Sequence, residues 1–299
     1  MRKTILIAGA TGKLGTRIVD ALLKQNANVR AIVRAQSEPK KVGALKHKGV
    51  EVIQAEMRDK GTIAQICTGA DCIVSAVSGL RETIIDTQKI LLDAAVLAKV
   101  PRFIPSVFSL DMENLVPGTN RNLDLRREFE RYLDDAPIAA TSIYNGAFMD
   151  LLTTDMPLIL SRFRRILYWG TATVKMDLTT MDDVAEYTAL TAIDIDTPRR
   201  LRIAGDQVSA SDIKKIVSNV TSKRFHLLRA GSISLLNVII HIAKFIGPAK
   251  NKLYPAWQGM QYMRDMMEGR AQIQAHDNDR YPDMRWTSVE KFLAAQNRN

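Results

Sequence analysis

The chain reads as an α/β protein, a doubly wound parallel sheet with a smaller C-terminal substrate lobe, on three observations. Short β-branched apolar runs alternate with helical patterns through the first half. A glycine-rich turn follows the first of those runs directly. After Gly146 the alternation gives way to a less regular pattern.

Taken in order, the strands are expected at 4–8, 28–33, 50–55, 72–76, 102–105 and 139–143. Helices are expected between them at 13–24, 39–48, 60–66, 82–98 and 123–134. Right-handed crossovers then place helices on both faces of the sheet. Residues 1–150 form the expected nucleotide-binding domain, and 151–299 a mixed lobe partly interleaved with it. In that lobe the pattern gives a strand at 171–177, a helix at 181–193 headed by Thr180, and a helix at 210–220 after Ser209. A capped terminal helix follows Thr287 and Ser288.

Composition narrows the class. With 299 residues, 46% apolar and 25% charged, the chain falls in the ordinary globular range and has no low-complexity tract. The net charge of +10, from 42 Lys and Arg against 32 Asp and Glu, favours phosphate-bearing ligands without choosing among them. Its basic residues are scattered over 34–48, 162–165, 199–202 and 214–229 with no aromatic stripe between them, so no nucleic-acid partner is expected. Cys67 and Cys72 read as small buried hydrophobes of a reducing compartment, and the short apolar run after Met1 is no signal-peptide core, which points to the cytoplasm. His47, His226, His241 and His276 fall in no ligand spacing, so no metal is expected. No phosphate loop of the GxxxxGK type and no nucleophile elbow is present, which removes the main support for an ATPase or a hydrolase.

The stretch 231–247, GSISLLNVIIHIAKFIG, is the most apolar in the chain and is short for a membrane span, which needs about 20 residues. It reads as a buried or pocket-covering helix, with a membrane-surface or dimer-contact helix as the alternatives. No transmembrane segment is expected, and a homodimer stays open.

The chemistry-bearing signal is Gly9-Ala10-Thr11-Gly12-Lys13-Leu14-Gly15, directly after the first strand and opening the first helix. Gly9 allows a tight turn off the strand, Gly12 clears the approach of a pyrophosphate, and Gly15 lets helix and strand pack closely. Free backbone N–H groups at the helix start favour an anion by about 0.3–2 kcal/mol through the helix dipole. This is a Rossmann-type dinucleotide turn, and the residue after the second strand selects the dinucleotide. An acidic group there would hold the ribose hydroxyl of NAD, whereas this chain has Arg34, with Lys40 and Lys41 close behind. A guanidinium forks onto a phosphate, so NADP(H) is the expected cofactor.

With the turn, Arg34 and Lys41 in place, the chain resembles the atypical short-chain dehydrogenases of the NmrA-like, isoflavone reductase-like and phenylcoumaran benzylic ether reductase-like kind. Gln88 in DTQKILLDAAVLAKV and the segment Arg102-Phe103-Ile104-Pro105-Ser106-Val107-Phe108-Ser109 carry the resemblance further, the latter being similar to the family's RFIPSEFG. It departs at Val107, where the family has Glu, and at Ser109, where it has Gly. The resemblance implies that Ser75, Ala76 and Val77 pass the cofactor and that Ser106, Val107 and Phe108 line its nicotinamide side. It further implies that Asn145 and Phe148 bridge cofactor and substrate, with Phe108, Asn145, Phe148 and Met149 as the substrate wall.

Ordinary short-chain dehydrogenases pair a Tyr with a Lys four positions on, and no Tyr here has that partner. The reductases that the chain resembles use a Lys early in the helix after RFIPSEFG, and alignment puts Arg126 there, or neighbouring Arg127 with the same conclusion. Lowering a Lys from about 10.4 to about 8 costs roughly 3 kcal/mol, and the same shift in an Arg starting near 13 costs about 7 kcal/mol. Arg126 is therefore excluded as a general base and remains a fixed cation for developing negative charge. Two functions follow as expectations. One is an NADPH-dependent reductase of a small, mostly apolar carbonyl, enone or ether substrate; the other is a non-catalytic NADP-binding sensor of the NmrA type.

Overall fold

The computed structural model describes residues 2–154, 158–247, 249 and 251–297. The chain divides into two compact units. One comprises Met1–Phe108, Leu125–Ile143 and Val184–Leu201, and the other Ser109–Asp124, Tyr144–Asp183 and Arg202–Asn299.

The first unit is built on six strands: β1 (Thr4–Ala8), β2 (Asn28–Val33), β3 (Glu51–Gln54), β4 (Cys72–Ser75), β5 (Arg102–Ile104) and β6 (Ala139–Ala140). They lie in the order β3-β2-β1-β4-β5-β6. Every pairing is parallel, and Ile7 of β1 sits in register with Ala31 on one side and Val74 on the other. The helices are α1 (Lys13–Lys24), α2 (Pro39–His47), α3 (Lys60–Cys67), α4 (Gln88–Leu97) and α5 (Arg121–Asp134), the last entering from the other unit. Strand order reverses direction between β1 and β4, so right-handed crossovers put α1 and α2 on one face and α3, α4 and α5 on the other. The doubly wound α/β class is as the sequence indicates.

The core of this unit explains why the pattern was so regular. Leu6, Ile73 and Phe103 from the strands pack with Ile63 of α3, Leu91 and Leu92 of α4, and Phe129 and Leu133 of α5, all buried. Phe103 and Phe129 stack at 6.3 Å between ring centroids. Strands covered on both faces must be apolar nearly throughout, and burying each such side chain contributes about 1.5–3 kcal/mol.

Three elements differ from their expected form. The helix expected at 82–98 begins as a π-helical stretch, Glu82–Thr87, before α4. The strand expected at 139–143 breaks into β6 and Ser142–Tyr144, because Thr141 turns its hydroxyl onto Pro198 O at 2.9 Å. The strand expected at 171–177 forms at Lys175–Thr179, since Gly170 at φ +69° and a turn from Thr171 to Val174 occupy its first residues.

In the second unit Lys175–Thr179 is the middle strand between Asp206–Ser209 and Ala147–Phe148, and Arg165–Trp169 is the middle strand between His226–Gly231 and Ile159–Leu160. Helix α6 (Met181–Ile193) starts here with Thr180 Oγ1 accepting from Asp183 N, and runs on into the first unit. Helix α7 (Ala210–Thr221) carries a full capping box between Ser209 and Asp212. Helix α8 (Ile233–Ile246) packs on α9 (Ala256–Glu268), and α10 (Val289–Asn297) closes the chain with Ser288 as its cap. No helix among the described residues is long and apolar enough to cross a membrane.

Candidate functional site

The glycine turn has the shape its residues require. Gly9 sits at φ +87°, and a Cβ there would lie 2.5 Å from Ala76 O. A Cβ on Gly15 would lie 2.1 Å from Gly9 O and 3.0 Å from Ala10 Cα, so any side chain would force α1 off the end of β1. Gly12 is the extended N-cap of α1 and supplies no side-chain cap. Its N–H donates to Gly9 O at 3.0 Å, and Thr16 N donates to Gly12 O at 3.0 Å. The backbone N–H groups of Lys13, Leu14 and Gly15 have no acceptor among the described residues, which leaves three aligned donors at the positive end of the helix. Thr16 reinforces the turn by donating its hydroxyl to Ala10 O at 3.0 Å and Gly12 O at 2.9 Å. Its contribution was missed in the sequence; the signal for it is a hydroxyl one turn after the N-cap.

Arg34 follows β2 and is exposed, and no side chain or carbonyl among the described residues engages its guanidinium. Lys41, expected beside it, forms an ion pair of 2.8 Å with Glu38 instead. Both ends of that pair are more than half exposed, so it is worth well under 1 kcal/mol and releases Lys41 readily. Lys13 and Gly12 are exposed, and Thr11 and Leu14 half-buried.

The loops after β4 and β5 are tied together. Ser106 Oγ donates to Val77 O at 2.5 Å, and Ser106 N donates to Gln88 Oε1 at 2.9 Å while Gln88 Nε2 donates to Ile84 O at 2.7 Å. Gln88 is buried, so the anchor residue of the sequence motif holds the loop through one hydrogen bond while its amide is itself fixed by Ile84 O. Phe108 is buried with φ +21°, a conformation that an aromatic residue rarely holds outside functional loops. Arg126 on α5 donates Nε to Val107 O at 2.9 Å. Ser75 Oγ, at the end of β4, is fully buried and has no hydrogen-bond partner among the described residues. Ala76 and Val77 are half-buried.

Asn145, Phe148 and Met149 belong to the second unit. Asn145 is fully buried with Oδ1 unpartnered among the described residues, while its carbonyl accepts from Thr179 Oγ1 at 2.7 Å. The neighbouring Gly146, at φ +65°, passes so close to Lys175–Thr179 that a Cβ would lie 2.2 Å from Asp177 O. Phe148 is half-buried and Met149 wholly buried. Burial pushes the thiols of Cys67 and Cys72 up to about 12, so neither is a nucleophile at neutral pH. No cluster of metal-ligating side chains occurs among the described residues.

Three features stand at the carboxyl ends of β1, β2 and β4: an uncapped helix start against a side-chain-free turn and, among the described residues, an unengaged guanidinium after β2 and a buried hydroxyl without a partner after β4. They also lie where open α/β sheets bind ligands, outside the carboxyl ends of strands at the point where strand order reverses.

The profile of the NmrA-like family matches residues 1–293. Pinoresinol reductase 1 of Arabidopsis thaliana is 29% identical over 66% of each chain, and isoflavone reductase homolog P3 of the same plant is 24% identical over 98% of each. The solved complex of leucoanthocyanidin reductase with NADPH from Vitis vinifera superposes with a TM-score of 0.83 at 18% identity, over 99% of this chain and 100% of that one.

Proposed function

The chain belongs to the NmrA-like family, and from that premise we propose that it is an NADPH-dependent reductase of a small, mostly apolar carbonyl, enone or ether substrate. The observation that carries this reading is the uncapped start of α1 at the end of β1, with Arg34 after the neighbouring β2 unengaged among the described residues. NADPH, when bound, supplies the hydride. Lys13, Leu14 and Gly15 N–H would hold its pyrophosphate, Arg34 its 2′-phosphate with Lys41 in reserve, and Ser75 Oγ its ribose side.

The remaining residues orient and exclude water. Ser106, Val107 and Phe108 form a loop held by two hydrogen bonds of Ser106, one to Gln88 Oε1 and one to Val77 O, and Arg126 is fixed to that loop through Val107 O. In that position Arg126 presents a permanent positive charge toward negative charge developing on a substrate oxygen, while the proton comes from substrate or water. Within the second unit Asn145 offers a buried acceptor in Oδ1 and Phe148 and Met149 offer apolar side chains, and within the first unit Phe108 offers another. Relatives named as reductases, and a structural neighbour solved with NADPH, support the redox class.

A second reading has its own observation. Arg126 stands where the reductases that the chain resembles use a Lys and is already engaged by Val107 O, which suits an NADP-binding sensor that performs no chemistry. Monitoring NADPH absorbance across a panel of enones, quinones, aldehydes and benzylic ethers separates the two. Turnover of any member supports the reductase; tight NADPH binding with no oxidation across the panel supports the sensor.

A further inference from the structure

Two basic stretches that lie far apart in the sequence meet in the second unit. Ser161–Phe163 is a 3-10 turn at the tip of the hairpin formed by Ile159–Leu160 and Arg165–Trp169, and Arg164 at φ +49° leads the chain into the second of these strands. The loop from α7 to the strand His226–Gly231 carries Lys223 and Arg224. His226 N donates to Arg164 O at 3.0 Å, which sets that loop beside the hairpin tip. Arg162, Arg164, Lys223 and Arg224 are exposed and Arg165 half-buried, and no carboxylate pairs with any of the five among the described residues. Several cations elsewhere are neutralised: Arg30 by Glu51, Lys48 by Asp20, Arg81 by Glu128 and Arg199 by Asp134. Residues 158–176 and 213–264 together contain 13 Lys and Arg and no Asp or Glu, so the excess positive charge of the chain is concentrated around this tip. At its apex stands Phe163, 67% exposed, with the Arg162 guanidinium 6.0 Å from its ring.

We propose that this hairpin tip and the loop beside it form a docking surface for an anionic lipid bilayer, with Phe163 entering the headgroup layer and the five cations resting on acidic headgroups. Charge argues for it. Each Lys or Arg close to an anionic leaflet strengthens binding by about fivefold, and here no internal carboxylate competes for them among the described residues. The apolar apex argues for it as well, because an aromatic ring held in water by the fold is favoured at the membrane–water interface. A nucleic acid is the poorer fit: a single strand is bound along a groove by successive aromatic platforms, whereas the exposed turn offers one ring at its tip.

Flotation of the full chain with phosphatidylcholine vesicles, with and without phosphatidylserine, tests the proposal. The wild type is expected to float with the anionic vesicles alone and to be released by high salt. Phe163→Ser is expected to weaken binding by about tenfold. Arg162→Glu with Arg164→Glu, and Lys223→Glu with Arg224→Glu, are each expected to weaken it by about a hundredfold or more. All five positions are exposed, so circular dichroism and melting are expected to be unchanged; a variant that fails this control is set aside and the others read. A wild-type chain that leaves anionic vesicles unbound at physiological salt overturns the proposal, as does a folded variant that floats as tightly as the wild type. Equal binding to neutral vesicles overturns it too. Tighter retention on single-stranded DNA than on anionic vesicles, lost in the charge-reversed pairs, overturns it and assigns the tip to a nucleic acid.

Discussion

Arg126 on α5 donates its Nε to the carbonyl oxygen of Val107 at 2.9 Å, joining a permanent cation to the loop that follows β5. Under the reductase reading this bond holds the charge beside the reacting oxygen. Arg126→Ala is expected to lower kcat/KM by about tenfold to a hundredfold while leaving the NADPH Kd within about twofold, since the lost interaction matters mainly in the transition state. Arg126→Lys keeps the charge but replaces the planar fork by a point charge, so its kcat/KM is expected to fall less than that of Arg126→Ala. Steady-state kinetics, with calorimetry for the cofactor, check both.

Gly15→Ala places a Cβ 2.1 Å from Gly9 O, and backbone rather than a flexible side chain must yield. The variant is expected to lose about 1–3 kcal/mol of stability and most of its NADPH affinity together. Thermal melts with and without NADPH read both effects. An unchanged Tm would mean that α1 and β1 do not approach each other as described.

Gln88→Ala removes the acceptor of the buried Ser106 N–H. Leaving a buried donor unsatisfied costs about 1–3 kcal/mol, so urea unfolding should show a loss of that size. Under the reductase reading, which puts the loosened loop on the nicotinamide side, turnover should fall further than NADPH affinity.

The charged hydrogen bond from Lys175 at 2.5 Å, with the Ser209 hydroxyl and N–H at the α7 capping box, holds the Asp212 carboxyl well below the usual carboxylate range. The unfolded chain, with Asp near 3.9, therefore takes up this proton first as pH falls. The stabilisation is complete above about pH 4 and is lost as pH drops through the lower folded value. Both partners are partly exposed, so Asp212→Asn is expected to cost only about 1 kcal/mol, or roughly 2 °C in Tm, at neutral pH. The gap between variant and wild type should close in acid, as melts in a pH series would show.

The first unit was legible in the sequence because each of its signals is local. Alternating apolar runs fix β1 to β5, and the glycines at 9, 12 and 15 need no distant partner to be read. Ser209 and Thr180 announced α7 and α6 for the same reason. The π-helical start at Glu82–Thr87 was not legible, since a change from one hydrogen-bond offset to the next leaves the apolar pattern almost intact. The return of Val184–Leu201 to the first unit has no local signature either, because it depends on contacts between segments far apart in the chain. In the site, Arg34 could be read from position alone, whereas the engagement of Arg126 by Val107 O, and the unpartnered Ser75 Oγ and Asn145 Oδ1, exist only once the loops are folded.

Titration of NADPH and of NADH into the wild type and Arg34→Ser, by calorimetry, tests the central reading most directly. The account requires wild-type chain to bind NADPH at least about tenfold more tightly than NADH, and Arg34→Ser to lose that preference by weakening NADPH alone. Absence of binding heat for both dinucleotides at several temperatures, or an NADPH preference that survives the loss of Arg34, would contradict it.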